Sequence, residues 1–336
     1  MLTILDAIPQ GLVDIPSRGL HTVLPGPTLI HLPGRRQRPL FVCVLLHGNE
    51  DSGFRAAQAV LRKYALQALP RALSLFVGNV SAARAGLRRL DGQPDYNRVW
   101  PGADTSGTPE HEMMHRIVDE MRERQVFASI DIHNNTGLNP HYACINRLDR
   151  NYVHLATLFS RIAVYFRRPL GVQSEAFAKL CPAVTVECGK PGHISGEEHA
   201  AAYIDACLRL AEFPAHEVAK QDLDLFHSVA TVRIPEAVSF GFGHALNGYD
   251  VLFDEALDHM NFRELAAGTK LGVVSDVCAK PLEVVDEEGE QVAEQFFDLR
   301  GNALVVRRPV MPAMLTLDER IIRQDCLCYL MERLPC

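Results

Sequence analysis

The sequence predicts an α/β fold, a mixed central sheet flanked by helices, followed by a smaller C-terminal β-rich domain. Two textures of the chain predict it. Up to about residue 214, short apolar runs alternate with amphipathic stretches of helical period. From about residue 215, apolar runs are instead broken by Gly, Pro and acidic turns. The expected domains are therefore 1–214 and 215–336. A chain of 336 residues is long enough for each part to bury a core of its own.

Strands are expected at "PLFVCVLLH" (39–47), "ALSLFVGN" (72–79), "VFASIDIH" (126–133) and "AVTVECG" (183–189). Helices are expected over 53–65, 109–124, 151–164 and 197–211. The second helix has a clear start: Thr108 as N-cap, Pro109 at the first helical position, and Glu110 and Glu112 in the first turn. In the C-terminal part, "ATVRIPEAVSF", "TKLGVVSDV", "LEVVDEEGEQV" and "NALVVRRPV" read as short strands. The final "DERIIRQDCLCYLMERL" is compatible with either a helix or a strand.

Composition narrows the function. The chain carries 34 basic and 41 acidic residues, for a net charge of −7, which argues against a nucleic-acid partner. It leaves a small anionic substrate open, because a pocket can be locally positive on an acidic protein. No apolar stretch reaches the length of a membrane span, and no membrane partner is expected. The N-terminal stretch lacks the basic region of a secretory signal, and the nine cysteines are scattered without a CxxC pair. A reducing, cytoplasmic setting is the expectation. The oligomeric state stays open, a homo-oligomer included.

Three of the four first-part strands end in a chemically useful residue. The first ends at His47, with Glu50 three positions on; the third ends at His133; the fourth ends at Glu187. In open α/β sheets, ligands sit beyond the carboxyl ends of the strands. Any one of these residues alone has a structural explanation, Glu50 for instance as a first-turn acid. Together they form a set. Two imidazoles and a carboxylate are the three protein ligands of a catalytic zinc. A second carboxylate, Glu187, is then placed to take the proton from an attacking water. Asp131, two before His133 on the same strand face, has two open readings: orienting that histidine, or capping a loop. Between these motifs lies "DYNRVWPG", in which Asn97 and Arg98 offer polar groups and a planar fork suited to a carboxylate. Upstream, Arg84, Arg88 and Arg89 form a basic run; two of the three read as solvated, and one as a stabiliser of an oxyanion. The other histidines, among them His111, His115, His141, His193, His244 and His259, show no partner spacing that suggests metal, and surface or core roles are expected for them.

Five ordered motifs, "HGNE", "GNVSAARAGLRRL", "DYNRVWPG", "DIHNNTG" and "VTVECGKPG", make the chain resemble the succinylglutamate desuccinylase and aspartoacylase family. That family is related in fold to zinc carboxypeptidases. The resemblance covers about residues 40–210. It implies His47, Glu50 and His133 as ligands of one zinc per chain. It implies Glu187 as general base and acid, Asn97 and Arg98 as the grip on a substrate carboxylate, and Arg88 as the group that polarises the scissile carbonyl. It implies hydrolysis of the amide bond of a small N-acylated amino acid or a similar carboxylate-bearing amide. The alternative is a zinc carboxypeptidase acting on short peptides. A third reading, a non-catalytic binding protein on the same fold, leaves Glu187 without a purpose. The chain departs from the family pattern in its longer connector "DGQPD" between Arg88 and Asn97. None of Arg161, Arg167 and Arg168 aligns with the arginine that aspartoacylases use for a second carboxylate.

Overall fold

The computed structural model describes residues 1–104, 107–244, 246 and 248–334. The chain forms two compact units. The first comprises Met1–Asn134 and His141–Leu225; the second comprises Asn135–Pro140 and, among the described residues, 226–334.

The first unit contains strands β1 (Thr3–Leu5), β2 (Thr28–Leu32), β3 (Gly34–Val44), β4 (Leu69–Val77), β5 (Ala128–His133), β6 (Tyr142–Ile145), β7 (Ile162–Tyr165) and β8 (Ala183–Glu187). Its helices are α1 (Ser52–Lys63), α2 (Val80–Ala85), α3 (Pro109–Glu123), α4 (Arg150–Thr157), α5 (Gln173–Phe177) and α6 (Ile194–Arg209). In space the strands run β1-β2-β4-β3-β5-β8-β6-β7. The inner four, β4, β3, β5 and β8, are mutually parallel, so their carboxyl ends share one edge. β2 and β6 flank this group in the antiparallel sense, which makes the sheet mixed.

Side-chain alternation builds the two faces. Val44 and Ile132 face α1, where a Cβ on Gly53 would lie 2.8 Å from Ile132 Cβ. Phe41 and Ser129 face α5: Phe41 stacks on Phe177 at 4.4 Å, and Gln173 Nε2 donates to Ser129 Oγ at 2.7 Å. Every residue of β5 and β8 is buried, as expected for parallel strands covered on both sides. Trp100 is driven into the α5 face, edge-on to both Phe76 and Phe177. Its backbone N–H donates to Gly171 O at 3.0 Å.

The second unit is β-rich and smaller. One sheet orders strands 240–242, 251–253, 270–274, 303–306 and 297–300. Another group pairs strand 224–233 with 283–286 and 328–333, and the latter pairs with 311–313. A single apolar cluster containing Val232, Phe253, Val284, Phe296, Val306 and Leu330 fills this unit. Residues 135–140 are part of it: Met314 N donates to Asn139 Oδ1 at 3.0 Å, and Thr136 and Thr316 share a hydroxyl bond of 2.7 Å.

Most of the expected elements are present, with three differences. The stretch 151–164 is not one helix: α4 stops at Thr157, and Ile162–Tyr165 forms β7, where Ala163, Val164 and Tyr165 pair with β6. The ambiguous C-terminal stretch is both structures in turn, a helix at Glu319–Gln324 capped by Asp318 and a strand at Cys328–Arg333. The first strand starts earlier than its apolar run, at Gly34, because the arginine-rich stretch pairs with β4. Thr108 caps α3 as expected, its side chain accepting from His111 N. Among the described residues, no helix is long and apolar enough to cross a membrane.

The turn that follows β3 lies hard against α2. Gly48 N donates to Arg88 O at 3.1 Å, and a Cβ on Gly48 would sit 2.1 Å from Ala83 N. Gly48→Ala should therefore destabilise the protein by about 2 kcal/mol or more. Equilibrium urea unfolding measures this; an unchanged midpoint would mean that α2 yields without cost.

Candidate active site

Four exits from the parallel core deliver side chains to one place. β3 gives way at Leu45, whose φ of 57° turns the chain out of the sheet. A leucine in this left-handed region is strained and has to be held; Asn79 N, beyond the end of β4, does so by donating to Leu45 O at 2.6 Å. The next turn presents His47 and Glu50, with Glu50 N donating to His47 O at 3.2 Å. β4 continues through α2, capped by Asn79, to Arg88. β5 ends at His133 and β8 at Glu187, and these two residues are register partners on adjacent strands. All five side chains are buried.

Glu50 is the centre. Its Oε1 lies 2.9 Å from His47 Nδ1, and its Oε2 lies 2.8 Å from His133 Nδ1. The other nitrogen of each ring meets an aspartate: His47 Nε2 is 2.9 Å from Asp95 Oδ1, and His133 Nε2 is 2.8 Å from Asp131 Oδ2. Each ring thus has a carboxylate on either side, and a neutral ring that donates from Nε2 to its aspartate is the tautomer that leaves Nδ1 available to a metal. Asn97 Nδ2, uncharged and at 3.3 Å from His133 Nε2, is the weaker neighbour. A neutral imidazole protonated at Nε2 leaves a bare lone pair on Nδ1. Both lone pairs then face the Glu50 carboxylate. His47 Nδ1 makes no well-aligned hydrogen bond at its 2.9 Å approach to Glu50, whereas His133 Nδ1 lies in hydrogen-bond geometry to Glu50 Oε2 at 2.8 Å. His47, Glu50 and His133 bring one ligand atom each within 4.8 Å of one another. Converging lone pairs of this kind repel unless a cation lies among them. The donor set, two imidazoles and a carboxylate with each imidazole backed by an aspartate, fits a divalent metal.

The titration directions follow the same logic. Burial pushes the His47 imidazole down and Arg88 does likewise, but Glu50 and Asp95 outweigh both, and the net direction is upward. For His133, burial again opposes, and Asp131 with Glu50 drives it well above its ordinary value. Burial alone would raise the two carboxyls. The imidazoles hold Glu50 well below its usual range, and His47 with Arg88 does the same for Asp95. Without a metal, two protons around Glu50 supply the positive charge that one divalent ion would supply.

Arg88 points its guanidinium at this cluster, 3.4 Å from Glu50 Oε1 and 3.1 Å from Asp95 Oδ2. Arg84 is exposed on α2, and Arg89 donates to Gln93 O. Of the three arginines, Arg88 is therefore the one buried against the carboxylates. Asn97 accepts from Gln173 N at 2.9 Å, and Arg98 Nη1 donates to Asn97 O at 2.8 Å. His193 lies exposed at the start of α6.

Two residues of the site were not singled out in the sequence. Asp95 accepts from His47, Arg88 and the backbone N–H of Asn97 at once. Asn134 ties three segments together: its backbone N–H donates to Glu50 Oε2, and its side chain bonds Ser52 and Gly189 O. The signals were their places, Asp95 opening "DYNR" and Asn134 following His133. Asp131 takes the first of its two open readings and orients His133.

A mixed α/β sheet with a buried His-Glu-His cluster at its carboxyl edge, and a β-rich C-terminal unit, defines a carboxypeptidase-like fold. The family model described as the succinylglutamate desuccinylase/aspartoacylase catalytic domain matches residues 37–210, more than half of the chain, and the chain belongs to that family. Members of the family are amide hydrolases that act as deacylases on small acyl-amino acid substrates. No curated protein matches the chain. Solved structures do. The succinylglutamate desuccinylase of Chromobacterium violaceum is 16% identical, with a TM-score of 0.57, over 90% of this chain and 86% of that one. That of Vibrio parahaemolyticus is 12% identical, with a TM-score of 0.60, over 89% and 82%. Murine aminoacylase 3 is 15% identical, with a TM-score of 0.55, over 89% and 96%. At these identities the likeness is one of fold.

The aspartates behind the two imidazoles can be tested directly. Asp95→Asn and Asp131→Asn should each weaken divalent metal binding by about 10–100-fold, since partners of this kind orient the ring and raise its basicity. Competition against a chromogenic chelator measures it; unchanged affinity in both variants would separate the aspartates from metal binding.

Proposed function

We propose that the protein is a zinc-dependent deacylase that cleaves the amide bond of a small N-acylated amino acid or a similar carboxylate-bearing amide. His47, Glu50 and His133 hold one zinc per chain. The catalytic domain in this reading is residues 1–214, with 215–336 as the β-rich C-terminal domain. The observation that carries the proposal is the convergence of two imidazole Nδ1 atoms on the Glu50 carboxylate, each ring fixed from behind by an aspartate. A cytoplasmic location is supported by the eight described cysteines, none of which forms a disulfide.

When bound, zinc supplies Lewis acidity that polarises the scissile carbonyl and acidifies water. The chain's own residues do the rest. Glu187, beside His133 on the next strand, accepts the proton of the attacking water as the C–O bond forms, and passes it to the leaving amine as the tetrahedral adduct collapses and the amide C–N bond breaks. Arg88, held by Glu50 and Asp95, stabilises the negative charge that develops on the carbonyl oxygen. Arg98 and Asn97 hold the substrate carboxylate, and so decide which amide meets the water. The buried Trp100 two residues on keeps their loop in place.

A screen of zinc-loaded protein against N-acetyl, N-succinyl and N-formyl amino acids, with short peptides in parallel, tests the substrate class. Preferential turnover of peptides would move the assignment to a carboxypeptidase. Two substitutions test the roles. Glu187→Gln keeps the size but cannot accept the proton; zinc content and fold should persist while kcat falls by ~10²–10⁴. If zinc is lost instead, Glu187 is a ligand. Arg98→Lys should impair turnover, because an ammonium cannot reproduce a planar two-point contact. That loss should shrink when the substrate carboxylate is masked as an amide; equal losses on both substrates would make Arg98 structural.

A further inference from the structure

Helix α3 carries a histidine pair that the site above does not use. His111 and His115 stand four residues apart, which places them on one helix face. Their Nε2 atoms face each other at 3.0 Å, with ring centroids 4.4 Å apart. Residues 109–124 read as a helix in the sequence, and a four-residue interval is what pairs side chains on one face.

The two rings have different surroundings. His111 is half-buried, and its Nδ1 lies 3.1 Å from the carbonyl of Val99. A carbonyl can only accept, so Nδ1 carries the proton and Nε2 presents its lone pair to His115. A ring that donates one N–H to a backbone carbonyl and turns its other nitrogen outward has the arrangement of a metal-ligating histidine. His115 is exposed, so the space between the nitrogens can be reached from solvent. The distance is informative too. Two nitrogens bound about 2.0–2.1 Å from one ion lie about 3 Å apart at a right angle and about 3.3 Å apart at the tetrahedral angle. The observed spacing matches the right angle, which Cu²⁺ and Ni²⁺ prefer. Other histidine neighbours lack this geometry. His199 commits Nε2 to Phe159 O, and His154 commits Nε2 to His216 O.

We propose that His111 and His115 form a second metal site, selective for a divalent ion with square or octahedral preference, of the Cu²⁺ or Ni²⁺ type, and completed by water. It is independent of any metal at Glu50. It also has a mechanical consequence. A metal on Nε2 makes the Nδ1–H of His111 a stronger donor, and that N–H holds Val99, the residue between Arg98 and Trp100. Occupancy therefore tightens the loop that carries Arg98.

Calorimetric titration of Ni²⁺ into chelator-treated protein at neutral pH tests the site. Wild type should bind one more ion per chain than His115→Ala or His111→Ala, and His47→Ala/His133→Ala should retain the second event. The chain has a single tryptophan, Trp100, next to Val99. Cu²⁺ should quench its emission in the His47→Ala/His133→Ala protein, and the quenching should vanish when His115→Ala is added. Should the double variant fail to fold, the one-ion difference between wild type and His115→Ala carries the test, with circular dichroism confirming that α3 is intact. Equal stoichiometry in wild type and His115→Ala would overturn the proposal, as would quenching that persists without His115; the two rings would then merely share a proton.

Discussion

Three carboxylates packed around two imidazoles set the terms for the rest of the first unit. Glu50, Asp95 and Asp131 are removed from water within one cluster, and a buried carboxylate costs several kcal/mol unless it is matched by positive charge and hydrogen bonds. Arg88 matches one of them. The remainder is matched either by protons on His47 and His133 or by a divalent ion among the Nδ1 atoms and Glu50. Either solution requires His47, Glu50, Arg88 and His133 to be in place together. Exits from β3, β4 and β5 have to converge for the charges to balance, and four parallel strands with their carboxyl ends on one edge are a direct way to achieve that.

The loop from Asp95 to Trp100 shows how such a site is fixed by ordinary packing. Its polar residues face the cluster, where Asp95 takes hydrogen bonds from His47, Arg88 and Asn97. Its far end is held by an indole buried against Phe76 and Phe177. Phe177 in turn stacks on Phe41 of β3, the strand whose exit carries His47. An apolar chain of contacts thus runs from the loop back to the strand. A second support comes from Gln173, whose backbone N–H meets Asn97 and whose side chain meets Ser129. Position here is set by large rigid side chains and satisfied backbone groups, which leave the charged atoms little freedom to relax toward water.

What was legible in the sequence was what has a period or a fixed position. Strand ends marked by an abrupt change from apolar to ionisable residues located His47, Glu50, His133 and Glu187, and the structure brings these together. Arg88 was separable from Arg84 and Arg89 only through motif order, since helix periodicity does not say which of three neighbouring arginines turns inward. Asp95 was invisible as a partner of His47 because the two meet through space, not through spacing. The strand Ile162–Tyr165 was hidden because four apolar residues suit a helix end as well as a strand, and pairing with β6 decides between them. Arg35–Arg38 does not look like strand at all; its place in β3 is imposed by the ladder to β4. The His111–His115 pair differs in kind, because both its helix and its interval are readable in the sequence.

The parallel core also sets the order in which His47, Glu50 and His133 can meet during folding. His47 and Glu50 are three residues apart and meet in any chain that forms their turn. His133 joins them only after β3 and β5 have paired through Leu40–Ala128 to Val44–Ile132, a contact that closes a long loop. Such pairings are entropically costly and slow to form. Before that pairing, His47 and Glu50 could offer a metal only their own two donors, and an ion held there would give up part of the stabilisation it would confer on the native state. In the proposed reading, a metal at Glu50 would lock a topology already reached and would not serve as a nucleus for it.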